Sequence, residues 1–243
     1  MRLKHITFTG IDAKTDILDL IDIQREFPIA EFGVLTSYHW YENGNRYLNP
    51  AFLSNLYAGN DELNLALHVC GSAAHDAMTG LWNRINNLTV KCLYMRLFQR
   101  VQLNVANRSD NPDRLASTPP NCHAEVIIQQ CPGDAALYEH SLWVGNVGRD
   151  QGLVSMLIDG SGGQGIDCPV SIYPSSQKVG YAGGINPDNV AEKLSFLLQN
   201  VRMGEFWIDM ESGVRTDDWF DTDKVRRVLR ICKEVIRDLG VED

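Results

Sequence analysis

The chain is expected to fold as an α/β protein, a single (β/α)8 TIM barrel over residues 1–243. Three observations predict it. Eight strand-like segments alternate with helix-patterned segments, and no linker rich in Pro, Gly or Ser divides them. The length of 243 residues is that of one such barrel, typically about 250 residues. The last two strands, in Tyr181-Ala-Gly-Gly-Ile-Asn-Pro-Asp-Asn-Val190 and Phe206-Trp-Ile-Asp-Met-Glu-Ser-Gly-Val214, both run into glycine and then into a helix start. Strict alternation means parallel strands with right-handed crossovers, and eight of these close a barrel. An open doubly wound sheet would carry a GxGxxG turn after strand one, and Thr9-Gly10-Ile11-Asp12 is not one.

The elements follow in order. Residues 3–9 carry β-branched and aromatic side chains and form the first strand. Residues 16–26 place Ile17, Leu20 and Ile21 at helical spacing. Residues 30–36 (AEFGVLT) are the second strand. A long loop, 37–50, carries Tyr38, His39, Trp40, Tyr41 and Arg46, and a helix opens over 50–57. Residues 64–70 (NLALHVC) form strand three, with its helix over 73–85. Residues 100–105 (RVQLNV) form strand four, with a weak helix around 112–116. Residues 124–130 (AEVIIQQ) are strand five, followed by a helix near 135–143. Residues 154–159 (VSMLID) are strand six, and Gly160-Ser-Gly-Gly-Gln-Gly165 is a glycine-rich loop. Residues 178–182 are strand seven, followed by a helix over 187–199 with Asp188 in its first turn. Strand eight is 205–210. Residues 222–239 close the chain as an amphipathic helix, with Val225, Val228, Leu229, Cys232, Val235 and Ile236 on one face.

Composition sets the class. The chain is 44% hydrophobic, enough for a sizeable core, and its net charge is −9. An acidic chain without a basic run gives no footing for nucleic acid or an anionic membrane. No apolar run approaches the roughly 18 residues that span a bilayer, and the N-terminus goes straight into a strand without a signal-peptide pattern. A cytoplasmic protein is expected, as a monomer or homodimer. Its six cysteines form no CxxC pair and are expected to be free thiols. His68, Cys70, Cys122 and His123 stand at spacings that match no zinc-ligand pattern, so no metal and no cofactor is expected.

Chemistry in this fold collects at the C-terminal ends of the strands. The polar residues there are Thr9, His68, Asn104, Gln129, Asp159, Asp209 and Glu211, with Arg46 in the loop after strand two. Asp159 ends the apolar run Met156-Leu157-Ile158, a partly dry setting that suits a general acid. The competing reading is a loop-starting Asp that caps backbone N–H groups. Asp209 follows Phe206-Trp207-Ile208 in the same way, and its competing reading is a buried structural acceptor. An unligated core or surface role is the simpler account of His68. The cluster 38–41 is read as a loop, or else as a platform for a flat ligand. The paired glycine-ended strands point to the barrel's phosphate corner, where backbone N–H groups and a helix N-terminus meet an anion. The expected ligand is therefore a phosphorylated small molecule.

These motifs resemble the phosphoribosylanthranilate isomerase family of tryptophan biosynthesis. That family's first strand reads K-I-C-G-I-T, against Thr7-Phe8-Thr9-Gly10-Ile11-Asp12 here. Its S-x-R-Y-I-x-P loop is matched by Asn45-Arg46-Tyr47-Leu48-Asn49-Pro50, and its V-Q-L-H by Val101-Gln102-Leu103-Asn104. The L-L-D and G-G-x-G of its sixth strand and loop are matched by Leu157-Ile158-Asp159 and Gly162-Gly163-Gln164-Gly165. Its A-G-G-L-N-P-E-N-V is matched by residues 182–190, and its V-D-V-S-S-G-V-E by residues 208–215. The likeness spans nearly the whole chain, strongest after Asp159 and weak between 72 and 99. Longer segments around 85–100 and 131–150 look like insertions.

The resemblance implies binding of a phosphorylated sugar derivative and an aldose–ketose-type isomerisation. Asp159 falls on the general-acid position, and Arg46 on the position that pairs with a substrate carboxylate. Gly163, Gly183, Gly184, Ser212 and Gly213 fall on the loops that take the phosphorylated ligand. The departure is at the base: a cysteine thiolate in the family, Thr9 here. A threonine hydroxyl does not ionise near neutrality without an adjoining strong base. His68 and Asp209 are the first candidates to supply one. Glu211 and Arg215 replace the family's Ser and Glu, and Arg215 is expected to offset the charge of Glu211. The alternative is a non-catalytic binding protein that keeps the phosphate site. An aldolase-type barrel needs a strand-end lysine, and Lys91 and Lys178 instead precede strands.

Overall fold

A computed structural model describes residues 2–38, 46–47, 50–58, 62–78, 81, 84, 97–104, 124–130, 154–172, 178–202 and 204–241. Eight parallel strands close into a barrel in chain order: β1 Arg2–Thr9, β2 Ala30–Thr36, β3 Leu65–Cys70, β4 Arg100–Asn104, β5 Glu125–Gln130, β6 Val154–Asp159, β7 Val179–Ala182 and β8 Glu205–Met210. The ring shuts where β1 pairs with β8, with Thr7 opposite Asp209. The described helices are α1 Ile17–Glu26, α2 Pro50–Ala58, α3 Ser72–Met78, α4 Val190–Asn200 and α5 Thr222–Asp238. The helices expected around 112–116 and 135–143 lie outside the described residues. None of the described helices is long and apolar enough to cross a membrane.

Strand alternation sorts the side chains into two populations. Ile6, Phe8, Phe32, Val34, Leu67, Phe206 and Ile208 face outward and form one buried cluster with Leu20 and Ile23 of α1, Leu194 of α4 and Val225 and Leu229 of α5. The inner positions are largely polar. Thr7, Thr9, Glu31, His68, Arg100, Gln102, Gln129, Ser155, Asp159 and Asp209 are all buried there. The apolar part of the interior is a small plug of Ile127, Leu157 and Trp207. Gly180 makes room for it, because a Cβ there would collide with the Trp207 indole. Below the plug, Arg100 donates to Glu31 at 2.7 Å and lies 4.1 Å from the Trp207 ring centroid, while Lys178 holds Glu125 at 2.6 Å. Buried charge is tolerated here because each charge has an opposite partner.

Local signals fix the helix ends. Asp16 caps α1 by accepting from Leu18 N, and Asp221 caps α5 by accepting from Asp223 N and Lys224 N. Helix α4 starts at Val190, later than the expected 187. The Asn186 side chain accepts from Asp188 N at 2.8 Å and Asn189 N at 3.3 Å, holding those residues as a turn. After β8 come a 3-10 turn, Ser212–Val214, and a two-stranded hairpin, β9 Arg215–Thr216 with β10 Trp219–Phe220. The sequence reading missed this hairpin. Its turn residues Asp217 and Asp218 adopt φ of 50° and 59°, a left-handed pair more usually marked by Asn-Gly.

Candidate functional site

A cavity of about 670 Å3 opens at the C-terminal end of the barrel. It is lined by all nine residues singled out as catalytic or substrate-binding: Thr9, Asp159 and Asp209, together with Arg46, Gly163, Gly183, Gly184, Ser212 and Gly213. His68, Asn104, Gln129 and Glu211 line it as well. Each of these positions is a strand end or the loop that follows it.

At the floor, Thr9 Oγ1 donates to Asp209 Oδ1 at 2.8 Å. Gln102 Nε2 lies 3.5 Å from Asp209 Oδ2 and donates to Asn104 Oδ1 at 3.1 Å. It also lies 3.1 Å from His68 Nδ1. A primary amide nitrogen donates, so Nδ1 accepts and the neutral imidazole carries its proton on Nε2. Among the described residues that Nε2 is buried with no hydrogen-bond partner. Gly33 lets the groups gather, since a Cβ there would stand 2.6 Å from Thr9 Oγ1 and 3.1 Å from His68 Nε2. His68 therefore points into the barrel rather than away from it. Burial pushes it down to about 4, so it is neutral at ordinary pH. Burial likewise raises Asp209 to about 6, against the pull of the Thr9 hydroxyl. A carboxylate in that range can exchange protons near neutrality.

Asp159 presents a different geometry. Its Oδ2 accepts from Gln129 Nε2 at 2.7 Å and Gly163 N at 2.6 Å. Its Oδ1 accepts from Ser161 N at 3.0 Å and Ser161 Oγ at 2.7 Å. The carboxylate thus caps the loop after β6, the competing reading drawn from the sequence, while still lining the cavity. Residues after β6 and β8 meet here, because a Cβ on Gly165 would lie 2.5 Å from Ser212 Oγ.

The loops after β7 and β8 pack closely. Gly183 and Gly184 take φ of 126° and 62°, and a Cβ on Gly213 would run into the Ile185 carbonyl. Among the described residues, the N–H groups of Gly183 and Gly184 find no acceptor. This corner can offer backbone donors to an anion.

Arg46 is held over the cavity where Tyr47 bridges Leu35 of β2. Its guanidinium is already engaged. Nη1 donates to Glu211 Oε1 at 2.7 Å, and Nε donates to Asp218 Oδ1 at 2.9 Å. Arg215 offsets the charge of Glu211 only from a distance, because its hydrogen bonds go to the carbonyls of Gly10 and Asp218 and to Asp12 Oδ2. Arg46 is the residue that meets Glu211. The loop cluster 38–41 is described only at Tyr38, whose hydroxyl donates to Asp76 at 2.6 Å.

The sequence reading did not single out Gln102, Cys70 or Ser161 as site residues. Gln102 was findable, since it stands two positions before Asn104 on the same strand face. Cys70 lines the cavity, but burial pushes its thiol to about 12, so it is no substitute thiolate.

The family model for N-(5'-phosphoribosyl)anthranilate isomerase matches residues 124–230, the stretch that carries Asp159, Asp209 and the glycine loops. Over that stretch the chain is similar to the phosphoribosylanthranilate isomerase family. Solved structures agree on the fold. The phosphoribosylanthranilate isomerase from Thermus thermophilus aligns over 95% of this chain and 99% of its own, at 18% identity and a TM-score of 0.58. That from Pyrococcus furiosus aligns over 95% and 98%, at 15% identity and a TM-score of 0.57. A phospho-2-dehydro-3-deoxyheptonate aldolase from Thermotoga maritima aligns over 99% of this chain and 71% of its own, at 10% identity and a TM-score of 0.61. At such identities the shared feature is the barrel. No curated protein is similar enough in sequence to match the chain.

Proposed function

We propose that the barrel binds a phosphorylated sugar derivative and catalyses an aldose–ketose-type isomerisation, with Asp159 as acid and Asp209, steadied by Thr9, as base. The phosphate sits against Gly183, Gly184, Ser212 and Gly213. Asp159 gives a proton to the sugar ring oxygen as the C1–O bond breaks, and the lone pair of the C1 substituent forms a double bond to C1. Asp209 then takes the proton from C2, the electrons of that C–H bond form C1=C2, and the pair of the double bond between C1 and its substituent returns to the substituent. Tautomerisation yields the ketose with no oxidant or reductant. The observation that carries this reading is the 2.8 Å Thr9–Asp209 contact with the Asp209 carboxyl near 6. It puts a usable base beside the position where a threonine alone has none. For its step Asp159 must give up one of its donors.

The protein is read as cytoplasmic, acting as a monomer or homodimer on a small molecule without nucleic acid or membrane. Turnover assays on phosphoribosylanthranilate and on ribose 5-phosphate, run on wild type, Asp209→Asn and Asp159→Asn, test the assignment. Turnover by the wild type that either variant retains in full removes that residue from the mechanism. The four donors already on Asp159 favour a second reading, a phosphate-ligand-binding protein without turnover. Tight phosphate binding with no isomerisation of any aldose phosphate would select it.

A further inference from the structure

The charges around the cavity are unevenly matched, and the imbalance bears on what the site accepts. Among the described residues lining it, Arg46 is the one Lys or Arg, whereas Asp159, Asp209 and Glu211 are three acids. Arg46 is shared between two carboxylates, Glu211 at 2.7 Å and Asp218 at 2.9 Å. Arg46 thus already carries two carboxylates, with Asp218 shared with Arg215 Nε at 3.4 Å, and a third would have to lie beside them. The other two acids are already satisfied, Asp159 by Gln129, Ser161 and Gly163, and Asp209 by Thr9 and Gln102. Glu211 differs. Its side chain is 33% exposed, and Arg46 is its one hydrogen-bond partner among the described residues.

The position of Glu211 follows from the fold. It directly precedes the 3-10 turn Ser212–Val214, but its side chain leads away from that turn, its Cγ lying 3.6 Å from where a Cβ of Gly10 would be. The backbone of this segment thus faces the phosphate corner, while the Glu211 carboxylate serves the opposite side, under the loop after β2. The hairpin turn at Asp217 and Asp218, with its left-handed backbone, brings the second carboxylate onto Arg46.

We propose that Glu211, by occupying Arg46, fixes the substrate class: a phosphorylated sugar whose far end carries no carboxylate and donates hydrogen bonds through hydroxyl or amino groups. This rests on the isomerase reading above and narrows it. A ligand carboxylate on Arg46 would have to displace Glu211 or lie beside it, a like-charge contact that selects against such ligands. A hydroxyl or ammonium group meets the free side of the Glu211 carboxylate instead. Burial pushes the Glu211 carboxyl up, and Arg46 pulls against that shift, so the pair works as a unit.

The test uses three probes, inorganic phosphate, ribose 5-phosphate and the fluorescent aromatic acid anthranilate, titrated against wild type, Glu211→Ser and Glu211→Gln. In both variants Arg46 keeps Asp218, so its charge stays partnered and the barrel is not put at risk. The wild type should bind phosphate and ribose 5-phosphate. Both variants should bind anthranilate at least tenfold more tightly than the wild type, and ribose 5-phosphate several-fold more weakly. Equal anthranilate affinity in wild type and both variants, with phosphate binding intact, overturns the role of Glu211 alone. Failure of the wild type to bind inorganic phosphate overturns the phosphosugar reading, and the substrate class with it.

Discussion

The hydroxyl of Thr9 and the carboxylate of Asp209, 200 residues apart in sequence, are joined by a 2.8 Å hydrogen bond at the floor of the barrel. Adjacent strands β1 and β8 bring them together where the ring closes. In the proposed mechanism the contact makes Thr9, which cannot itself act as a base, the orienting partner of Asp209.

The Asp209 carboxyl, raised from 3.8 to about 6 by burial, gives a pH signature. A folded pKa above the unfolded one adds stability that is complete below about 4 and is lost as pH rises through about 6. Two units at about 1.4 kcal/mol each amount to about 3 kcal/mol. Urea unfolding of wild type and Asp209→Asn from pH 3.5 to 7.5 should show the wild type losing roughly that much relative to the variant. A constant difference between the two would mean that the carboxyl is not raised.

Asp159→Asn should destabilise the protein. Asparagine has one acceptor oxygen, while Asp159 accepts from Gln129 and Gly163 on one oxygen and from Ser161 on the other. The new NH2 would face donors, and a buried donor left unpaired costs about 1–3 kcal/mol. Chemical denaturation should show a loss of about 2 kcal/mol. A loss near zero would indicate that the loop after β6 re-forms around the amide.

His68 should remain neutral, with its proton on Nε2, down to about pH 4, because a buried imidazolium would lose its hydration without gaining a partner. Its neutral form supports folding above about 6.5, and this support is lost as pH falls through about 4. Heteronuclear NMR of the ring nitrogens reads both tautomer and titration. An inflection near 6.5 would place the ring in contact with water.

Gly213→Ala should part the loops after β7 and β8, since its Cβ would strike the Ile185 carbonyl and lie 2.8 Å from Asn186 Cβ. The barrel strands do not depend on that contact. Circular dichroism should be unchanged, while titration with inorganic phosphate shows at least a tenfold loss of affinity. Unchanged affinity would put the anion elsewhere.

The sequence alone determined the architecture. Outward strand positions such as Phe8, Val34 and Ile208 are apolar and alternate with inward polar ones, and helices α1 and α5 each begin at an aspartate cap. Strand periodicity, capping and glycine placement are local signals, so the barrel and the strand-end positions of Thr9, Asp159 and Asp209 were legible from residue types alone. Tertiary structure decided what those residues do to one another. Whether Arg46 meets a ligand or Glu211 depends on a hairpin turn whose Asp-Asp sequence carries no strong turn signal. Whether His68 faces the cavity depends on barrel closure and on the missing side chain at Gly33. The proton affinity of Asp209 depends on burial beneath residues from β1 and β4. Partnership and desolvation are sums over groups distant in sequence, and only the closed barrel brings those groups within a few ångströms.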